Sequence, residues 1–137
     1  MGAIHVLPDD QIEELLRSAL VGRIACCAPT IDPRPYLVPF AYGYDGEAVY
    51  AHSGLGRKIR LMRANPLVSF EVDTAEASDR WRSVIAEGAY EELIDPAERS
   101  AALLVVYPPP AAVPVLPPET IVYRIRLTAK SGRYEVP

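Results

Sequence analysis

The stretch that decides the fold is Tyr50-Ala51-His52-Ser53-Gly54-Leu55-Gly56-Arg57-Lys58. Glu47 to His52 reads as an extended run, and Gly56 to Asn65 as a short basic helix with Ile59 and Met62 on one side. A hydroxyl, two glycines and two cations therefore stand where a strand turns into a helix. Glycines let backbone N–H groups approach an anion closely, and a helix N-terminus adds a partial positive charge. One full charge pair at about 4 Å and an effective dielectric near 20 contributes roughly 4 kcal/mol before desolvation. Micromolar binding needs about 8 kcal/mol, so Arg57, Lys58 and a few hydrogen bonds suit a phosphate. The same residues also describe an ordinary strand-to-helix loop with a solvated basic face. The segment is not a P-loop, because Lys58 is followed by Ile59 and the glycine spacing differs.

Working outward, residues 8–20 read as a helix. Ile12, Leu15, Leu16 and Ala19 share one face, Asp9 and Asp10 suit the positive end, and Gly22 closes it. Gly22 to Ala28 and Tyr36 to Tyr44 look extended. Asp45-Gly46 is a hairpin signal, so 36–44 and 47–52 read as two arms of one hairpin. Asn65-Pro66 stops the basic helix. Leu67 to Asp73 alternates, Thr74 to Asp79 is turn-like, and Trp81 to Leu93 is a long strand with Gly88 marking a bulge. Asp95 to Val106 is a helix with Asp95 as N-cap and Pro96 at its first position. Tyr107 to Pro118, with six prolines, is an extended surface loop. Thr120 to Thr128 alternates again. About six strands and three helices result, as one domain over 1–137. The expected fold is mainly β with flanking helices, an antiparallel small barrel. No Gly-rich turn joins a first strand to a long helix, so a doubly wound dinucleotide-binding sheet is excluded.

Bulk composition agrees. Of 137 residues 50% are hydrophobic and 23% charged, with a net charge of −4, which argues against a nucleic-acid binder. Arg57, Lys58, Arg60 and Arg63 nonetheless bunch together, a local positive site suited to a small anion. The only cysteines, Cys26 and Cys27, are adjacent in a strand and point to opposite faces, which disfavours a disulfide between them. They read as small packing residues without a metal-ligand set, so no metal is expected. No signal peptide or membrane-length apolar run is visible, so a cytoplasmic location is expected by default. Glu91-Glu92 and Asp9-Asp10 read as solvated ends, not an acid/base dyad.

The order of features resembles the pyridoxamine 5′-phosphate oxidase-like FMN-binding split barrels, and within them the nitroimidazole-resistance-type branch. The matching segments are Gly22-Arg23-Ile24-Ala25, Pro35-Tyr36-Leu37-Val38-Pro39-Phe40-Ala41-Tyr42, Val49-Tyr50-Ala51-His52-Ser53 and Gly56-Arg57-Lys58-Ile59. Further along come Asn65-Pro66-Leu67-Val68-Ser69-Phe70, Trp81-Arg82-Ser83-Val84-Ile85-Ala86-Glu87-Gly88, Val122-Tyr123-Arg124-Ile125 and Gly132-Arg133. Each motif is short; in this order they are specific.

The resemblance implies a six-stranded split β-barrel, a homodimer and two FMN sites at the interface. Val38, Pro39, Phe40 and Ala41, with Tyr50, Ala51, His52 and Ser53, would lie against the isoalloxazine ring. Ser53, Arg57 and Lys58 would hold the phosphate. Trp81 and Ser83 would come from the partner subunit or lie beside the site. His52 is the one candidate for chemistry beyond binding; a buried, satisfied histidine is the competing account. Pro39 breaks a ladder and frees backbone for a flavin edge, or simply marks an edge strand. Arg23 anchors a charge or sits at the barrel mouth. The function expected is a flavin-dependent oxidoreductase that takes electrons from NAD(P)H and passes them to a nitroaromatic or quinone-like acceptor, with no membrane or nucleic-acid partner. The alternative is a non-catalytic split barrel, or one that binds haem or a deazaflavin. The proline-rich 107–118 segment departs from the family pattern, as a lid or a dimer contact.

Overall fold

Alternation of small and apolar residues sets the frame. The protein is described by a computed structural model covering residues 2–137. In chain order its elements are β1 (Ala3–Val6), α1 (Asp9–Ser18), β2 (Val21–Ala28), β3 (Asp32–Ala41), β4 (Gly43–Tyr44), β5 (Ala48–Ser53), α2 (Arg57–Ala64), β6 (Leu67–Ala77), β7 (Arg80–Glu92), α3 (Pro96–Val106) and β8 (Ile121–Val136). All strand pairs are antiparallel. The sheet has eight strands in the order β3-β2-β6-β7-β8-β5-β4, with β1 added to the far part of β8. It curls around one core without closing, which is a split barrel.

On β2 every second residue (Gly22, Ile24, Cys26, Ala28) is buried, and Phe70, Val72, Val84, Ala86, Tyr123 and Ile125 meet them from β6, β7 and β8. Helix α1 inserts Ile12, Leu15 and Leu16 into this core. Phe70 lies edge-on to Phe40 and Tyr42, with ring centres 5.7 and 5.1 Å apart.

The split follows from the registers. β4 pairs with β5 only through Gly43↔Tyr50 and Tyr44↔Val49. Two residues earlier the chain peels away: Val21↔Ala41 and Gly22↔Phe40 belong to the β2–β3 ladder. β3 has no second neighbour, and Ala51 to Ser53 have a ladder partner only in β8. Val38–Ala41 and Ala51–Ser53 are thus the two free edges of one opening, and Pro33, Pro35 and Pro39 sit on such an edge, where a missing N–H breaks no ladder.

Several expectations need correction. The six long strands are present, but β1 and β4 raise the count to eight. The hairpin from Asp45-Gly46 is real, with Gly46 at φ +102° and Asp45 Oδ1 accepting from the Glu47 and Ala48 amides at 2.9 Å. Its first arm is only β4, however; residues 36–41 pair with β2. The first helix stops at Ser18. Gly22 does not cap it but lies in β2, where a Cβ would stand 2.4 Å from the Phe70 ring. Thr74–Ala77 extends β6, so only Ser78 and Asp79 turn. The bulge at Gly88 is present, with Thr128 of β8 as the extra residue. β8 runs past Thr128 to Val136 because α1 and β1 cover that end. No helix among the described residues is long and apolar enough to cross a membrane.

Candidate functional site

Helix α2 begins at the opening. Its N-cap is Gly56, in extended backbone, with no side-chain cap and no acidic residue in the first turn. Arg60 N is the first amide to bond back, to Gly56 O at 3.1 Å. The amides of Arg57, Lys58 and Ile59 therefore have no carbonyl within the helix. Two cations at the positive end of a helix oppose its macrodipole. A bound anion would relieve that arrangement.

Lys58 is the centre of the site. Its ammonium lies 5.8 Å from the Phe40 ring centre on one side of the opening and 5.9 Å from the Tyr123 ring centre on the other. No carboxylate among the described residues pairs with it. Burial pushes its pKa down, only partly offset by the Cys26 thiol. Beside it the Tyr123 hydroxyl is fully buried and has no hydrogen-bond partner. An unpaired, half-buried cation at uncapped amides matches the donor set of a phosphate-bearing ligand.

Arg57 is differently placed. Its guanidinium pairs with Asp32 at 2.9 Å and stacks over the Tyr36 ring at 4.6 Å. It is held at the rim rather than free, although a guanidinium has donors to spare. Ser53 Oγ donates to Gly54 O at 2.8 Å. A Cβ at Gly54 or Gly56 would meet nothing within 4 Å, and neither has left-handed backbone. A side chain would find room at either position, and neither glycine is required by packing within the chain.

Of the ring-side candidates, Val38, Pro39, Phe40 and Ala41 lie on the β3 edge, and Ala51, His52 and Ser53 on the β5 edge. Phe40 and Ala51 point into the core. Tyr50 turns away, donating to Asp45 Oδ2 at 2.8 Å. His52 is on the same face as Tyr50, toward α3. Its Nε2 is 2.6 Å from Tyr107 Oη and the rings stack 5.8 Å apart. Burial, then the Lys58 charge, lowers its pKa, so near neutral pH the ring is uncharged and engaged. That is the satisfied-histidine arrangement.

Trp81 and Ser83 are not brought to this opening. Trp81 pairs with Glu135 and donates Nε1–H to its Oε1 at 2.9 Å, whereas His52 pairs with Val122. The two points on β8 are separated by about 40 Å of strand at about 3.3 Å per residue. Trp81 and Ser83 belong to the outer face of β7, which further along the strand also carries the exposed Ile85. A groove of about 410 Å³ on that outer face is lined by Cys27, Pro35, Leu67, Ser69 and Ala89 among others. Arg23 anchors Glu71 and Asp73 there, at 3.5 and 3.2 Å; burial and the neighbouring Asp73 push Glu71 up to about 7. Glu91 and Glu92 are not simply solvated, since they pair with Arg124, Arg126 and Arg63. Cys26 and Cys27 are free, on opposite faces. The described residues hold no metal-ligand cluster.

Sequence reasoning missed Asp32, Tyr107 and Tyr123 as site neighbours. Tyr123 carried a signal, the inward face of an alternating strand opposite Ala51. The other two reach the site only through tertiary approach.

The comparisons agree with this geometry. A 34% identical solved structure, described as a FAD-binding protein from Mesorhizobium loti, aligns over 97% of this chain and 99% of its own, with a TM-score of 0.79. A putative 5-nitroimidazole antibiotic resistance protein from Bacteroides thetaiotaomicron shares the fold at 20% identity, covering 98% of this chain and 89% of that one, TM-score 0.84. An uncharacterised Rhizobium meliloti protein is 33% identical over 90 residues, 66% of this chain and 58% of that relative's length. The profile described as pyridoxamine 5′-phosphate oxidase matches residues 8–134. A split sheet, a basic helix start at the opening and a match over nearly the whole length lead to one assignment: the chain belongs to the pyridoxamine 5′-phosphate oxidase family.

Proposed function

We propose that the protein is a flavin-dependent oxidoreductase that holds FMN, or the FMN half of FAD, across the split between β3 and β5. The observation that carries this reading is Lys58: a half-buried ammonium without a carboxylate partner, at uncapped helix amides, between two free strand edges. Lys58 and the α2 amides bind the phosphate, with Ser53 and Arg57 at its rim. The free edges of 38–41 and 51–53 offer donors and acceptors to the edge of a planar ring, and Phe40 and Tyr123 keep water from the Lys58 side. Bound flavin supplies two-electron transfer from a reduced nicotinamide to a small acceptor such as a nitroaromatic or quinone, and the protein contributes orientation and electrostatics. No protein acid or base is required, in keeping with His52 being engaged by Tyr107. That engagement also favours flavin over haem, for which His52 is the candidate ligand.

A homodimer belongs to this reading. The exposed Leu37, Leu67 and Ile85 on the outer sheet face are an apolar surface that a second copy would cover. Trp81 and Ser83, on that face and remote from their own opening, then reach the partner's site.

The test is direct. Purified protein is expected to be yellow, or to quench the fluorescence of added FMN or FAD with micromolar or tighter affinity and to gain thermal stability, as any ligand specific to the native state requires. No quenching and no thermal shift with either flavin at about 100 μM, well above a micromolar Kd, would remove the proposal.

A further inference from the structure

Arg57 and Lys58 are adjacent cations at one helix start, yet only Lys58 brings net charge to the site. Arg57 is engaged inside the chain. Its Nη2 donates to Asp32 Oδ2 at 2.9 Å, and its guanidinium lies over the Tyr36 ring, 4.6 Å from the centre. Asp32 is fixed in turn, because its Oδ1 accepts from the Arg34 amide at 2.9 Å. Both carboxylate oxygens are therefore used, and the Asp32 side chain is only 29% exposed. Lys58 has no carboxylate partner among the described residues. Burial pushes the Cys26 thiol up, and Arg57 and Lys58 both partly offset this. The two cations thus stand over one patch of the core, and one of them carries its own counter-ion.

That charge balance discriminates between phosphates. Arg57 still has donors to give, but Asp32 cancels its charge. What is left for an anion is the Lys58 ammonium and the partial positive end of α2. A phosphate diester carries a single negative charge and suits this set. A terminal phosphate monoester carries about 1.5 to 2 near pH 7, because its second pKa is near 6. The additional charge would leave water beside Asp32 with no cation to meet it. Flavin nucleotides differ in this respect: FMN ends in a monoester, whereas the two phosphates of FAD are joined and carry one charge each. A further free cation stands beside the pair. Arg34 lies in the stretch 33–35, which has no ladder partner, is exposed, and meets no carboxylate among the described residues.

We propose that the site selects FAD over FMN by charge. Lys58 and the α2 amides hold the flavin-side phosphate, Asp32 disfavours the doubly charged end of FMN by cancelling Arg57, and Arg34 meets the second phosphate. This rests on the flavin reading above and goes beyond it, since that reading leaves the two nucleotides equivalent.

The experiment is isothermal titration of the full chain with FMN and with FAD at one ionic strength. The unsubstituted protein is expected to bind FAD at least about tenfold more tightly. Asp32→Asn keeps the Oδ1 acceptor for the Arg34 amide and frees the Arg57 charge. It should tighten FMN more than FAD and shrink the ratio of the two dissociation constants about threefold or more. Both nucleotides carry about two negative charges near neutral pH, so an unspecific change of protein charge would move both affinities and leave the ratio alone. Arg34→Gln should weaken FAD about threefold while FMN stays within about twofold. FMN bound as tightly as FAD by the unsubstituted protein, or a ratio unmoved in both variants, overturns this proposal and leaves the flavin reading standing. Absence of binding of either nucleotide to the unsubstituted protein overturns the flavin reading and this proposal with it.

Discussion

Helices α3 and α2 begin in opposite ways. α3 is completed by its own chain: Asp95 caps it, accepting from Glu98 N at 3.1 Å, Pro96 fills the first turn, and Glu98 adds an acidic charge there. α1 likewise places Asp9 and Asp10 at its positive end. α2 has a bare glycine cap followed by Arg57 and Lys58. A like charge at a helix terminus forfeits about 0.3–1 kcal/mol of favourable dipole interaction, and three amides go without internal partners. α1 and α3 are arranged for stability; α2 is left unfinished at the one place where the sheet is also left open. Local discord of this kind marks functional ground.

The most forceful way to break the contrast is to remove the unpaired cation. Lys58→Met is expected to weaken FMN or FAD binding by at least about tenfold, roughly 1.4 kcal/mol or more, read by fluorescence titration. The ligand-free variant should melt no lower than the unsubstituted protein, because burial already disfavours the charged amine. A lower melting temperature with unchanged flavin affinity would make α2 an ordinary structural helix.

The next change converts α2 into a copy of α3. Gly56→Asp supplies the missing cap, and a Cβ there meets no neighbour within 4 Å. The apo protein should gain up to about 1 kcal/mol, measured by denaturant unfolding. The new carboxylate would compete for the same amides, so flavin affinity should fall severalfold. A gain in both quantities would show that the amides are not used for an anion.

This division also explains what was legible in the sequence. Asp95-Pro96, Asp45-Gly46 and Asn65-Pro66 are local signals, and the elements they start or stop lie where expected. The strand-to-helix turn from Ser53 to Lys58 was legible for the same reason. β1 and the second half of β8 were not, because the pairing that holds this end joins residues 133 apart, as in Ala3↔Val136. The peeling of β3 from β5 was hidden too: an ideal hairpin signal at Asp45-Gly46 gives no hint that β2 captures residues 36–41. Gly22 looked like a cap because its real constraint, the Phe70 ring, lies 48 residues away in sequence. At the site, Lys58 was readable, but Asp32 against Arg57 and Tyr107 against His52 were not, since a strand start and a helix end are brought there only by the tertiary fold.

The cap of α3 is the control. Asp95→Ala should cost about 1 kcal/mol, a melting shift of about 3 °C for a chain of this size, and leave flavin affinity unaltered. Any loss of affinity beyond about twofold would mean that α3 passes its stability on to the His52 contact through Tyr107.

The smallest expected effect is the pH dependence contributed by His52, the group nearest the contrast that titrates in the physiological range. Its folded pKa is lowered, first by burial and then by Lys58. Below the unfolded value of about 6.5 the unfolded chain therefore binds more protons than the folded one at this position. The stabilising contribution is complete above that value, declines as the pH falls toward the lowered folded value, and changes no further below it. Half exposure screens the effect, so it should be smaller than the loss of a cap. Melting curves from about pH 8 to about pH 5 should thus fall more steeply on the acid side for the unsubstituted protein than for His52→Gln. A phosphate at α2 would offset the Lys58 charge and bring His52 back toward its usual range. The acid-side difference between the two proteins should then shrink when saturating FMN is present. If the difference is the same with and without FMN, the anion does not sit beside Lys58.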